Sequence, residues 1–302
     1  MADVSVNTMY EPFSEEPEYV EANRAFVGSL DLGAAEKLLD LACGTCIMAD
    51  LVIERHPGIA VFALDLDLQQ LELAQSRFRK VGIFRGNGVD ARAEGLPAFL
   101  LVEGSADTLP FATGVMDIVI MGHSIHNLPD KDRLLQEIGR VLRPGGLFAF
   151  NSAFYAGTYV PGTEKFYQAW IKGALEFVMR RDREAKAQGL PGVRRTRGTV
   201  GRAFSNRWPS ADEWKETLTR NGLHVTECRE RSIEMTRRNF ETIGSYAGFA
   251  CSLLSGYPPE LASEALQTAV APAMDEFGLE TVPQGWLEMS TRKPEGGARS
   301  AR

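Results

Sequence analysis

An α/β fold is what this sequence predicts, with a largely parallel sheet and helices packed on both faces. Three observations predict it. Between Lys37 and Asn151 short apolar runs alternate with helix-length amphipathic patterns. Gly and Pro cluster at the junctions between those runs. The chain has 302 residues, 44% of them hydrophobic and 24% charged, so a substantial core can be buried.

In chain order, Lys37 to Ala42 (KLLDLA) reads as a buried strand and Ile47 to Arg55 as a helix. Ala60 to Leu64 is the second strand and Leu68 to Arg79 the second helix, followed by a Gly-punctuated connection over Gly82 to Pro97. Strand three is Phe99 to Glu103, strand four Met116 to Met121, and the next helix Asp130 to Leu142. The turn Arg143-Pro144-Gly145-Gly146 leads into strand five, Leu147 to Asn151. Such alternation places parallel strands between helices.

After strand five the rhythm changes. Residues 153–210 hold an aromatic helical run and then an Arg-dense, Gly-punctuated stretch, too long for an ordinary connection and therefore an insertion. Ser210-Ala211-Asp212-Glu213 opens a helix with a capping signal, Asn221-Gly222 closes it, and Leu223 to Glu230 gives strand six. Helices over Asn239–Leu254 and Pro259–Phe277 form a second insertion before the last strand, Trp286 to Arg292. The expected organisation is an N-terminal helical segment over the ligand site (1–34), a core (35–152), an Arg-rich helical cap (153–210), the end of the core (211–232), a second helical insertion (233–282), a last strand (283–294) and a disordered tail (295–302).

Charge and composition exclude several classes. Lys plus Arg number 33 against 40 Asp plus Glu, for a net charge of −7, which argues against broad nucleic-acid binding. No run approaches the ~18 uninterrupted apolar residues of a membrane span. The first residues are acidic and lack a basic, then apolar, leader pattern, so a cytoplasmic protein is expected. The four cysteines form no disulfide framework and no metal-ligand spacing, and no metal site is expected. Cys43 and Cys46 form a C-x-x-C at a strand-to-helix turn, which leaves a redox pair as an alternative reading of that turn.

The turn itself, Asp40-Leu41-Ala42-Cys43-Gly44-Thr45-Cys46, is built of small residues and opens a helix, so backbone can approach a ligand closely. It lacks the three spaced glycines that cradle a pyrophosphate. Strand two leads into Asp65, about 20 residues after Gly44, where a carboxylate can accept both hydroxyls of a ribose. A ribose-bearing ligand without a pyrophosphate, S-adenosylmethionine foremost, satisfies both facts. The alternative reading of Asp65 is a helix N-cap.

The segments LLDLACGTC (38–46), FALDLD (62–67), VEGSADTLPF (102–111), MDIVIMGHSIHNLPD (116–130) and EIGRVLRPGGLFAF (137–150) together resemble the class I S-adenosylmethionine-dependent methyltransferases, in the small-molecule branch of the ubiquinone and menaquinone C-methyltransferases. The resemblance implies a Rossmann-like seven-stranded sheet, with the two insertions as a cap. It implies S-adenosylmethionine as cofactor, S-adenosylhomocysteine as product and a small-molecule acceptor. Asp40 would orient the methionine end with the backbone of Ala42, Cys43 and Gly44 against it; Asp65 would take the ribose and Leu66 flank the adenine. Gly104, Ser105 and Ala106 would line the adenine edge. Met121, Gly122 and His123 would lie beside the cofactor. Ala42 and Cys46 stand where the family has glycines and Ser105 where it has Asp, with Asp107 the nearby substitute.

His123 and His126 are the candidate general bases; the alternative is that they are loop residues with no proton to move. An activated methyl donor requires no strong base. Tyr155, Tyr159 and Trp170, with Arg194, Arg195, Arg197 and Arg202, are the candidate acceptor-binding residues: an apolar body against the aromatics and an anionic group on the arginines. Against this stand packing aromatics and a solvated charged face. The function expected is methyl transfer to carbon or oxygen of a small, partly apolar acceptor that can carry an anionic group. A macromolecular or carrier-bound acceptor, or a catalytically silent cofactor-binding protein, are the alternatives.

Overall fold

A computed structural model describes residues 10–78, 83–84, 99–196 and 207–295. Its strands are β1 (Lys37–Leu41), β2 (Ala60–Asp65), β3 (Ile83–Phe84), β4 (Phe99–Glu103), β5 (Met116–Gly122), β6 (Leu142–Ser152), β7 (His224–Thr236) and β8 (Thr281–Arg292). They form one sheet in the order β3-β4-β2-β1-β5-β6-β8-β7. The pairs from β3 through β6 are parallel and β8 runs antiparallel to β6. Seven strands are as expected; the eighth is the two-residue β3 at the edge, which carries too little pattern to be read from sequence.

β1 pairs with β2 on one side and β5 on the other, so the order of the strands reverses there. In open sheets of this kind ligands bind at the carboxyl ends of the strands at that reversal. The central strands are apolar along almost their whole length because helices cover both faces: Leu38, Leu39, Leu41, Val119 and Ile120 are all fully buried. The helices are α1 (Glu11–Ser14), α2 (Pro17–Ser29), α3 (Ile47–Arg55), α4 (Leu68–Arg77), α5 (Lys131–Val141), α6 (Glu164–Ala187), α7 (Ala211–Arg220), α8 (Arg237–Ser245), α9 (Ala247–Leu253) and α10 (Pro259–Glu276). The capping signal at Ser210 is realised: its hydroxyl accepts from the Glu213 N–H, and the Glu213 carboxylate accepts in return from the Ser210 N–H.

Four boundaries differ from expectation. The turn Arg143 to Gly146 lies inside β6 rather than before it. β7 continues six residues past Glu230, and β8 begins at Thr281. The single helix expected over 239–254 is two, because Tyr246 takes an extended backbone (φ −72°, ψ 116°) between α8 and α9.

The described residues fall into two compact units, a sheet unit of 20–158, 209–231 and 286–295 and a helical unit of 10–19, 159–196, 207–208 and 232–285. The two insertions thus share one unit, and the N-terminal segment expected over 1–34 is divided between the units. Its first part is tied to the second insertion by a buried carboxylate: Glu16 accepts from Arg238 (3.0 Å) and from the Thr242 hydroxyl (2.9 Å). The core of the helical unit is aromatic. Phe166, Trp170 and Phe240 are buried against one another, and Trp170 Nε1 donates to the Leu266 carbonyl at 2.8 Å.

Candidate active site

Asp40, near the end of β1, is wholly buried. Its Oδ2 accepts the N–H of Ala49 in α3 at 2.9 Å, while its Oδ1 is buried with no hydrogen-bond partner. Burial, reinforced by the neighbouring Asp65, pushes its pKa up to about 8. Past β1 the backbone turns left-handed three times, at Ala42 (φ 53°), Gly44 (φ 52°) and Cys46 (φ 65°). Glycine adopts that conformation without steric cost, whereas Ala and Cys each lose about 1–2 kcal/mol by it. Such strain is typical of ligand-binding turns.

Asp65 closes the turn from β2. Its Oδ2 accepts the Gly44 N–H at 2.7 Å and its Oδ1 the Asp67 N–H at 2.9 Å. Burial nonetheless raises its pKa. The helix-capping role belongs to Asp67, whose Oδ1 accepts the Gln69 N–H at 2.9 Å, so Asp65 is not the N-cap of α4. Leu66 follows with 72% of its surface open, unusual for a large apolar side chain. The Cys43 and Cys46 thiols share a hydrogen bond, and burial raises the pKa of Cys43. A reactive dithiol needs the opposite, a stabilised thiolate, so the redox reading gains no support here.

The loop after β4 lies against Asp65: the Gly104 N–H donates to the Asp65 carbonyl at 2.9 Å. The Ser105 hydroxyl accepts the Asp107 N–H at 3.2 Å. Ala106 is buried, and Asp107 Oδ1 is a second buried carboxylate oxygen with no hydrogen-bond partner.

β5 ends in Met121, fully buried, and Gly122, where an added Cβ would meet Met48 Cγ at 2.6 Å. His123 follows in a left-handed conformation (φ 46°). Its Nδ1 accepts the Ala153 N–H at 3.2 Å, which assigns the ring proton of the neutral form to Nε2. The His123 ring meets the edge of Trp286 at 4.0 Å, and the His126 ring stacks on Phe154 at 3.8 Å. Burial pushes both imidazoles down to about 3, assisted by His126 for His123 and by Lys131 for His126. Both are neutral at physiological pH and poor proton acceptors.

The acceptor candidates are not gathered in one place. Tyr155 belongs to the core of the sheet unit, with its hydroxyl donating to Glu230 at 3.0 Å. Trp170 is in the core of the helical unit, as is the ring partner of Tyr159, Tyr167. Arg194 and Arg195 are exposed, and the Arg195 guanidinium lies 5.3 Å from the Tyr257 ring centre. Arg197 and Arg202 lie outside the described residues. Among the described residues no group of His, Cys, Asp or Glu could hold a metal, and no helix is long and apolar enough to cross a membrane.

Sequence reasoning missed Asn23, Asn151 and Ser124. Asn151 sits in an apolar strand end, where a lone amide between Phe150 and Ser152 is the one signal that could have drawn attention to it. The Ser124 hydroxyl is buried without a hydrogen-bond partner beside His123.

Residues 39–150 match the family model described as a methyltransferase domain. A demethylmenaquinone methyltransferase of Lactobacillus johnsonii is 33% identical over 127 residues, covering 41% of this chain and 46% of that protein. A methyltransferase of Streptomyces halstedii is 33% identical over 129 residues (43% of this chain, 42% of that one). The chain thus spans about half or less of the length of the curated relatives it matches. Among solved structures, a Bacillus halodurans protein named as a methyltransferase superposes with a TM-score of 0.53 at 16% identity, covering 91% of this chain and 99% of that one. A [4+2]-cyclase superposes at 0.51 and 19% identity over 92% of this chain and 82% of its own. These two show the fold alone. Residues 39–150 are thus similar in sequence to a methyltransferase domain, and the fold is similar to that of these two structures.

Proposed function

We propose that the whole chain transfers a methyl group from S-adenosylmethionine to carbon or oxygen of a small, partly apolar acceptor. The observation that carries this reading is Asp40 Oδ1: a buried carboxylate oxygen without a partner, at the strand reversal, beside a turn whose backbone is held left-handed. An ammonium group is the partner such an oxygen lacks, and the methionine end of the cofactor has one. Asp65 would accept the ribose hydroxyls, Leu66 would lie along the adenine, and Gly104 to Asp107 would line its edge. The cofactor, when bound, supplies a methyl group already activated by a sulfonium.

The chain's residues need then only position an acceptor and exclude water. With both imidazoles neutral, His123 and His126 shape the site and His123 can donate from Nε2; neither is suited to removing a proton. A hydroxyl acceptor acidic enough to ionise readily, such as a hydroquinone, fits a site without a strong base. Names of relatives that refer to quinones are consistent with that class. The exposed Arg194 and Arg195 are the groups best placed among the acceptor candidates to meet an anionic substituent.

The test is incubation with methyl-deuterated S-adenosylmethionine and a panel of hydroquinones, phenols and polyol metabolites, read by mass spectrometry. The expected result is a deuteromethylated hydroquinone or phenol together with S-adenosylhomocysteine. Arg194→Lys or Arg195→Lys should then raise KM with kcat unchanged. Cofactor binding without any methylated product across the panel would overturn the acceptor class and favour a silent binding protein or a macromolecular acceptor.

A further inference from the structure

We propose that Asn23 and Asn151 are positioning residues, a buried amide pair that holds the backbone of His123 in its left-handed turn and so fixes the end of β5. The role rests on the methyl-transfer reading, because that strand end is part of the cofactor site only if the reading holds.

Both amides are wholly buried in the sheet unit, Asn23 on α2 and Asn151 at the end of β6. Asn151 Nδ2 donates to Asn23 Oδ1 at 2.7 Å. That bond orients the Asn151 amide: its oxygen must then face away from Asn23, and Oδ1 accepts the His123 N–H at 3.1 Å. The Asn151 carbonyl accepts the same N–H at 3.2 Å, and the His123 ring accepts from Ala153 two residues further on. One residue is thereby clasped through backbone and side chain by 151 and 153 together.

The clasp sits where it is needed. Gly122 pairs with Asn151 in the last register position of β5 against β6, so His123 is the first residue past the end of β5. There the chain turns into a conformation that L residues avoid, φ 46°, and leads directly into Ser124 and the short 3-10 turn Ile125–Asn127. Glycine would reach the same φ unaided. Wholly buried amides are costly unless they are hydrogen-bonded. Their joint product is the conformation of residue 123.

A double-mutant cycle separates this role from simple packing. S-adenosylhomocysteine is titrated by calorimetry into the wild type, Asn23→Ala, His123→Gly and the double variant. Asn23→Ala should weaken binding roughly 5- to 10-fold, the worth of one lost buried hydrogen bond. In the His123→Gly background the same change should weaken it less than about 2-fold, because glycine keeps the turn without the amide. Asn23→Asp, which keeps an acceptor oxygen for Asn151 Nδ2, should restore most of the affinity. Equal losses in both backgrounds, or no loss in Asn23→Ala, would overturn the proposal. Should Asn23→Ala fail to fold, Asn23→Ser takes its place in the cycle. Absence of binding by the wild type would instead overturn the methyl-transfer reading, and the cycle is then read from urea midpoints. Non-additivity of positions 23 and 123 there still supports the clasp, and additivity still removes it.

Discussion

Each end of the central strands carries an aspartate, half-buried Asp117 at one and wholly buried Asp40 at the other, and they are treated in opposite ways. At the amino-terminal end, Asp117 of β5 accepts the N–H groups of Glu36 (3.0 Å) and Lys37 (2.8 Å) on Oδ2 and is bridged by Arg143 on Oδ1. Burial alone would raise its pKa; the Arg143 hydrogen bond and the two backbone donors outweigh that and hold it below the usual range. At the carboxyl end, Asp40 of β1 accepts one N–H, and burial lifts its pKa to about 8. The backbone differs in the same sense. Every left-handed residue other than glycine among those described, Ala42, Cys46 and His123, lies at the carboxyl ends of β1 and β5. One end of the sheet is finished by the chain itself, and the other is left for a ligand to finish.

The largest expected effect belongs to the finished end. Asp117→Ala should cost about 2–3 kcal/mol in urea denaturation, since it removes the charged acceptor of two backbone N–H groups and a guanidinium. A loss under about 0.5 kcal/mol would erase the contrast between the ends.

Asp40→Asn sharpens it through pH. A carboxyl with a raised folded pKa binds its proton more tightly in the native state, so the free protein loses stability as pH rises toward 8. The histidines act with the opposite sign, chiefly around and below their unfolded pKa near 6.5, where the unfolded chain holds protons that the folded one does not, and they do so equally in both proteins. Between pH 6.5 and 8 the wild type should therefore lose about 1.5 kcal/mol relative to Asp40→Asn, in which only the histidine contribution remains. The same slope in both would locate the proton elsewhere.

A smaller effect is expected at Ala42. Ala42→Gly should stabilise the free protein by up to ~1 kcal/mol, the left-handed penalty less the entropy glycine adds to the unfolded chain. Destabilisation would mean that the methyl group packs better than the turn is strained.

How much of this was legible depended on sequence distance. Asp40, Gly44 and Asp65 lie on consecutive elements, and a strand, a small-residue turn and an acidic strand end are local patterns. Asp65 and Asp67 share one turn, so only the hydrogen bond from Gln69 shows which of them caps α4. Asn23 and Asn151 are 128 residues apart, and Glu16 and Arg238 222 apart; neither pairing leaves a local trace. The break at Tyr246 was invisible because Gly244 and Gly248 bracket it inside a pattern that continues helically on both sides. For His123 and His126 the sequence offers a base or a loop residue with no proton to move, and their lowered pKa, which follows from burial, is a tertiary property.

The central claim, that the carboxyl end is completed by S-adenosylmethionine, is tested most directly by calorimetric titration of that cofactor into the wild type, Asp65→Asn and Asp65→Ala. The wild type should bind one equivalent. Charge-assisted hydrogen bonds to two ribose hydroxyls are worth ~1.5–3 kcal/mol each, so Asp65→Ala should lose at least about 100-fold in affinity while keeping the far-ultraviolet spectrum of the fold. Asp65→Asn, which keeps an oxygen for the Gly44 N–H, should fall between the two. Absence of binding by the wild type, or wild-type affinity in Asp65→Ala, would contradict the account.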